Sequence, residues 1–398
     1  MPARREPPLT AARRLLPRMQ IWREAIHREP ELSHRERATR EKITSALDEL
    51  GIPYRTYSGF YGVLGLLGEG RPGPVVALRA DMDALPVTEA TGLPFSSRID
   101  GAMHACGHDV HMAALLGAGA ILAERGRSIA GPVKLIFQPA EEDGCEGGAL
   151  PFLRRGCFRD PKVDFVVGQH VDPAVPAGVV GLKAGPCMAA ADTLKIVVHG
   201  HGGHASSPHQ GPDAILIAAE IVVGLQALVS RVRNPVDPVV VSVGSIHGGT
   251  RHNILPDEVV LEGTVRTFRP STRELMERAL RRRVRAIAQS LGARASVDYE
   301  RGYPALWNPP KETFRIEQGL RSALGGARVR ELEFPVMGAE DFARYLERVP
   351  GTFLRLGAAT PGRAASLHSA TFAPPEESLE VGAAALVAAT DTLQRSRA

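Results

Sequence analysis

The chain has 398 residues, 44% of them hydrophobic, which is long for one domain and enough to bury a large core. Its 48 basic and 44 acidic residues are mostly interspersed and leave a formal charge of +4, so no field of one sign argues for a nucleic-acid partner. Four cysteines in this length make no disulfide framework, and neither a secretory signal nor a run of about 18 apolar residues is visible, so the reading is a soluble, cytoplasmic protein with no membrane segment.

The first predicted element is an amphipathic surface helix in "SHRERATREKITSALDELGI". Ala38, Ile43, Leu47 and Leu50 recur there near helical spacing, with Ser33 as N-cap and Gly51 as stop. Three apolar runs follow: "VVALRADMD" (75–83), "VKLIFQPAEE" (133–142) and "VDFVVGQH" (163–170). Each has the continuous character of a strand buried on both faces, and helical segments at 112–124 and 146–155 separate them. This predicts an α/β domain with a mostly parallel sheet flanked by helices, in which ligands bind beyond the carboxyl ends of the strands. Asp81, Asp83, Glu141, Glu142 and His170 are expected at those ends.

Near residue 187 the pattern changes. A strand at 193–206, a long apolar helix at 213–232, the strands "VVVSVGSIHGG" and "VVLEGTVRTF", and a helix at 271–292 closed by Gly292 predict a compact α+β insert. The insert is assigned to 188–297, leaving 1–187 and 298–398 as a discontinuous first domain. "RALRRRVR" (278–285) reads as the solvated face of the insert's helix, and "GTFLRLGA" with a last helix at 376–395 is expected to rejoin the first sheet.

The chemistry concentrates in "HACGHDVH" (104–111), where Cys106 and His108 flank a glycine that lets both side chains approach one ion. Glu142, His170 and a late His368 in "SLHSATF" add carboxylate and imidazole to a donor set that suits zinc-like ions. Singly, each histidine has a plain structural reading; jointly they point to metal. The adjacent Glu141 and Glu142 follow an apolar strand, where two carboxylates are costly unless something positive sits beside them. Glu141 would suit a general base, because a divalent ion lowers the pKa of water from ~15.7 to ~7 and a carboxylate can finish the deprotonation. The implied reaction is hydrolysis. Cys145, Cys157 and Cys187 lack ligand spacing, and His104 and His111 read as structural residues or supports for the ligands.

"RADMDALPV", "HACGHDVH", "FQPAEE", "GHASSPH", "RHNILPD", "GTVRTF", "MGAEDF" and "LHSATF", in this order, resemble the M20 metallopeptidases. The match is to the amidohydrolase branch, with its hippurate hydrolases and IAA-amino acid hydrolases, and runs from about residue 20 to 390. The resemblance implies a zinc-exopeptidase-like catalytic domain interrupted by a ferredoxin-like satellite domain. It further implies two divalent ions (Zn²⁺ or Mn²⁺, with Co²⁺ and Ni²⁺ open) held by Cys106, His108, Glu142, His170 and His368, with Glu141 as base. Where the wider family carries "HxD" this chain has "DMD", so we infer that His108 replaces the missing imidazole and Cys106 takes the bridging place. Asp83 would orient a ligand histidine; Asp81 has no assigned role.

His204 is either a turn residue or, by the resemblance, the group that reaches the scissile carbonyl across a dimer interface. Asn253 resembles a substrate-binding amide. Arg251 and Arg266 either pair with a substrate carboxylate or are structural. Glu340, expected with Asp341 to open a helix, either complements its dipole or lines the pocket. The expected partner is a small-molecule N-acyl amino acid, with a homodimer or homotetramer formed through the satellite. The alternative is a dipeptidase or aminopeptidase of the same fold, and the base Glu141 argues against a non-catalytic metal or nucleic-acid binder.

Overall fold

The computed structural model describes residues 5–359, 362 and 366–395. The chain divides into two units. One takes the chain up to Cys187, Trp307–Phe334 and the chain from Asp341; the other takes Met188–Leu306 and Pro335–Glu340.

The first unit is built on an eight-stranded sheet. Its order is Tyr54–Tyr57, Phe60–Leu67, Val133–Gln138, Val76–Asp81, Phe165–Pro176, Gly351–Ala359, Val180–Leu182, Val329–Glu331. The central strands from Val133–Gln138 to Gly351–Ala359 run parallel. Antiparallel pairings lie outside them, between Tyr54–Tyr57 and Phe60–Leu67, Phe60–Leu67 and Val133–Gln138, and Gly351–Ala359 and Val180–Leu182. Val180–Leu182 and Val329–Glu331 are again parallel, so the sheet is mostly parallel as expected, with antiparallel pairings that make it mixed. Val76–Asp81 and Val133–Gln138 are buried at every position and announce themselves as continuous apolar runs.

The helices His108–Arg125 and Glu377–Gln394 pack on these strands and on Pro8–His27. Small residues permit this: a Cβ at Gly117 would lie 2.2 Å from Met19 Sδ. Arg37–Glu49 buries Ile43 and Leu47 as its spacing predicts and ends before Gly51 at φ +63. Its start differs from expectation. Glu31 accepts from the Ala38 and Thr39 N–H groups at 3.1 and 2.8 Å, while the Ser33 hydroxyl leaves the helix and donates to Asp83.

The second unit is a four-stranded antiparallel sheet in the order Val239–Gly248, Glu258–Thr267, Ala190–His199, Arg294–Arg301. Two helices, Ala214–Arg231 and Pro270–Ser290, cover it, and the chain order β-α-β-β-α-β is that of a ferredoxin-like unit. Ile217, Ile221, Leu225, Met276, Leu280 and Val284 fill the layer between helices and sheet, whereas Arg278, Arg282, Arg283 and Arg285 are exposed.

Two expectations need correction. A boundary at 297/298 would cut Arg294–Arg301, which pairs along its length with Ala190–His199, so the chain returns to the first unit only at Trp307. Pro335–Glu340, with Glu340, also groups with the second unit. The other correction concerns hydropathy: Ala214–Arg231 is long and apolar enough, by length and composition, to cross a membrane. Here one face of it packs on the satellite sheet, and Glu220 and Gln226 interrupt its outer face.

Within the first unit a buried ionic cluster ties Pro8–His27 to the start of His108–Arg125. Asp109 accepts from Arg23 Nε at 2.8 Å and lies 3.0 Å from His27 Nδ1, while His27 Nε2 lies 3.2 Å from Glu89. Burial alone would lower the His27 pKa. The charge of Asp109 and hydrogen bonds to Asp109 and Glu89 outweigh it and raise it from 6.5 to about 9. The native state therefore holds this proton more tightly than the unfolded chain. The stabilisation is fully present below about pH 6.5 and is lost as pH rises through about 9, an effect of at most about 3 kcal/mol. Denaturant unfolding of the metal-free protein at pH 6.5 and 9.5 is expected to show this fall. Glu36, which burial and the charge of Asp83 push up to about 8, acts with the same sign, so the comparison is with His27→Gln. A pH difference equally large in that variant would clear His27 of the effect.

Candidate metal centre

The site begins where the strand Val133–Gln138 ends. Pro139 cannot extend the ladder and Ala140 turns the chain at φ +55, placing Glu141 and Glu142 in a tight turn, Glu141–Asp143. Two carboxylates catch the three N–H groups this exposes. Glu36 Oε1 accepts from Ala140 N–H at 2.8 Å, and Asp83 accepts from Glu141 and Glu142 N–H at 3.0 and 2.8 Å. The Ser33 hydroxyl also donates to Asp83, at 2.7 Å. The Asp83 carboxylate thus positions the Glu–Glu turn, while its backbone carbonyl, 2.8 Å from His108 Nδ1, orients that histidine. The Asp83 carboxylate lies 3.5 Å from the same ring nitrogen.

The second half is "HACGHDVH". Gly107 stands at the N-terminus of His108–Arg125 with φ +80, and a Cβ there would come within 2.6 Å of Val171 Cγ2. Only glycine makes this turn, and it brings Cys106 and His108 to one point. Cys106 Sγ lies 3.2 Å from His170 Nε2 and 3.3 Å from His368 Nε2. Glu142 Oε1 lies 3.4 Å from His368 Nε2 and 3.9 Å from His108 Nε2. The donor atoms of Cys106, His108 and His170 all fall within 4.8 Å of one another, as do those of Cys106, Glu142 and His368, and of His108, Glu141 and Glu142. The five residues expected as ligands meet, and the thiol belongs to two of these groups.

His170 was expected at a strand end but lies inside Phe165–Pro176. The pairing of that strand with Val76–Asp81 stops at Arg79↔Gly168, so His170 lies past the last pair on that side, level with the strand end at Asp81. His368, at φ +65, is tied by its N–H to Ala105 O at 2.9 Å, next to Cys106.

The donor chemistry tests whether these residues suit an ion. His108 and His170 give their Nδ1 protons to the backbone carbonyls of Asp83 and Val171, at 2.8 and 2.7 Å, so Nε2 is the atom each ring, once neutral, would offer to an ion. His108 Nε2 and Glu142 Oε1 are buried without hydrogen-bond partners. Burial, then the charges of Glu142 and Glu141, push the Cys106 thiol well above its ordinary pKa. For His108, burial opposes protonation, but Asp81, Asp83 and Glu142 raise it to about 10. Orphaned donors and surplus negative charge fit a centre for divalent ions held by Cys106, His108, Glu142, His170 and His368.

Asp81, unassigned in the sequence, lies 2.8 Å from Arg79 Nη1 and 2.6 Å from His111 Nδ1. Arg79 is wholly buried and also donates to Gln138 and Asp341 at 3.0 and 2.8 Å. Arg79, Gln138, Asp341 and Glu36 were missed; the one signal was an arginine inside an apolar strand, "VALRAD". His104 is buried with no hydrogen-bond partner for either ring nitrogen, and burial lowers its pKa to about 3, so it is neutral.

His204, Asn253, Arg251 and Arg266 belong to the second unit. Gly203–His204 pairs with Ile254–Leu255, which sets His204 opposite Ile254 and beside Asn253, all exposed. Ser206 N–H donates to His204 Nδ1 at 3.1 Å, which leaves Nε2 as the ring's donor. Arg251 is exposed, and Arg266 is half-buried on Glu258–Thr267 with a hydrogen bond to Thr264. Glu340 is buried, and the helix expected to start there is the short Ala343–Leu346.

A mixed sheet with a thiol, three imidazoles and a carboxylate at its rim, interrupted by a ferredoxin-like unit, defines a class that comparison identifies. Residues 77–392 match the model of peptidase family M20/M25/M40. The chain is 41% identical over 367 residues to thermostable carboxypeptidase 1 of Saccharolobus solfataricus, covering 91% of this chain and 92% of the relative. It is 41% identical over 336 residues to the N-acetyl-L-cysteine deacetylase of Bacillus subtilis, covering 84% and 79%. The solved structure of the Bacillus subtilis YxeP protein, described as a dinuclear metal-binding peptidase from the M20 family, superposes with a TM-score of 0.83 at 33% identity over 96% and 99% of the two chains. The chain belongs to the M20 family, in its amidohydrolase branch.

Proposed function

We propose that the protein is a metal-dependent amidohydrolase that cleaves the amide bond of N-acyl amino acids, with a pair of divalent ions, Zn²⁺ or Mn²⁺ foremost, as cofactor. The observation that carries this is the meeting of two donor triads, Cys106/His108/His170 and Cys106/Glu142/His368, at one thiol, with Glu141 beside them. Ions bound there would polarise the scissile carbonyl and acidify the attacking water. Glu141, held by its backbone in the turn that Asp83 clamps, takes the proton from that water and delivers it to the leaving amine nitrogen. His204, exposed and with Nδ1 taken by Ser206, is suited to donate from Nε2 to the developing oxyanion, and Asn253 beside it to hold the substrate. Arg251, Arg266 and Glu340 are proposed to line the substrate side, the arginines facing the free carboxylate.

Assembly through the satellite is supported by the exposed Ile215, Leu216 and Val223 of Ala214–Arg231 and by Ile246 on the edge strand Val239–Gly248. Such a set of uncovered apolar groups on one small unit suits a homodimer.

The family's name covers peptidases, so the second reading is a dipeptidase or aminopeptidase of the same fold, acting on substrates with a free amine. A panel decides between them. The ion-loaded protein is expected to turn over N-acetyl and N-benzoyl amino acids and to leave unblocked dipeptides nearly untouched. Turnover confined to dipeptides would replace the first reading by the second.

A further inference from the structure

The strand carrying His170 loses its pairing with Val76–Asp81 after Arg79↔Gly168, while on its other side Arg355 and Leu356 stay paired with His170 and Val171. On the edge so exposed, the Val171 N–H meets no sheet partner. It donates instead to His111 Nε2, at 2.9 Å. An acceptor at Nε2 requires the ring proton on Nδ1, and Nδ1 faces Asp81 Oδ1 at 2.6 Å, a carboxylate in turn fixed by Arg79 at 2.8 Å. The same Val171 residue receives the Nδ1 proton of His170 on its carbonyl, at 2.7 Å, and that bond aims His170 Nε2 at Cys106 Sγ, 3.2 Å away. The His111 and His170 rings also pack with centroids 4.7 Å apart.

We propose that His111 is a positioning residue of the metal centre: the chain Arg79–Asp81–His111 stands in for the sheet partner that Val171 lacks on this one edge and thereby sets the angle at which His170 offers its nitrogen. The inference rests on the dinuclear reading above. It explains why "HACGHDVH" carries a histidine three residues beyond His108. On a helix these two lie on one face, so a single turn supplies a ligand and the support for another ligand.

The test compares wild-type protein with His111→Leu, which offers no acceptor, and His111→Gln, whose amide oxygen can take the Val171 N–H. Metal-free samples are titrated with Zn²⁺ against a competing chelator, and Co²⁺ spectra report the ligand geometry. Wild type is expected to take two ions. In His111→Leu one ion binds about 10–100-fold more weakly, the usual cost of removing a group that supports a ligand, while the other keeps its affinity. His111→Gln is expected to hold both close to wild-type affinity, and it decides the matter alone if the leucine variant does not fold. Retention of both ions at wild-type affinity in His111→Leu would overturn the proposal, as would a glutamine variant weakened for the His170-side ion. Equal weakening of both ions, with a lowered melting temperature of the metal-free form, would mark a general structural role and also overturn it. Fewer than two ions in wild type would instead remove the dinuclear reading, and this inference with it.

Discussion

Glu141→Gln is expected to retain both ions while kcat falls by about 10²–10⁴-fold, the range over which a positioned acid or base acts. The substitution keeps the shape of the side chain and the backbone N–H that Asp83 holds at 3.0 Å, so the turn carrying Glu142 stays in place. What it removes is the capacity to accept a proton. If Glu141 serves only that purpose, KM for an N-acyl amino acid should change little, because binding through the substrate carboxylate is untouched, and kcat/KM should fall with kcat. Metal analysis and steady-state kinetics on one sample give both quantities. A variant that loses ions as readily as activity would mean that Glu141 is itself a ligand. A variant within tenfold of wild-type kcat would mean that the proton goes elsewhere.

The parts of this centre that were legible in the sequence share a property: each couples a special residue type to a rigid local frame. Cys106 and His108 around Gly107, and Glu142 after a buried strand and a proline, are constrained over a few positions, so spacing alone implies convergence. The parallel core was legible for a similar reason, since strands buried on both faces must be apolar throughout. What stayed hidden depends on three-dimensional partners. Ser33 looks like an N-cap in one dimension, but its hydroxyl is drawn to Asp83, fifty residues away, and Glu31 takes over the helix end. Glu36 sits in a charged helical stretch and gives no sign that it will hold Ala140 N–H in the interior. Asp81 could not be assigned because its two partners, Arg79 and His111, come from a strand and a helix that meet only in the fold. The boundary near 298 was misplaced because Arg294–Arg301 alternates exposed and partly buried residues and lacks the apolar density of the other strands.

Cys106→Ala is expected to empty the centre, and the reason lies in its double membership. Removal of His170 or His368 would strip one of the two triads that the thiol joins; removal of the thiol breaks both, leaving His108 with His170 and Glu142 with His368. Affinity for both ions should fall by more than the 10–100-fold typical of losing a supporting group. The thiol also sets a proton balance. Burial and the charges of Glu142 and Glu141 keep Cys106 protonated well above neutrality, and His108, raised to about 10, is protonated as well in the ion-free state. Both protons must leave when the ions enter, so affinity should climb with pH between 6 and 9, by about tenfold per unit for each proton released. Titration in buffers of different ionisation enthalpy counts these protons directly, and the alanine variant should release one fewer for whatever ion it still takes. Cys106→Ser should resemble alanine rather than wild type, because a hydroxyl does not give up its proton under these conditions. An alanine variant that held two ions at wild-type affinity would leave the thiol outside the coordination sphere and would reduce the centre to separate imidazole and carboxylate sites.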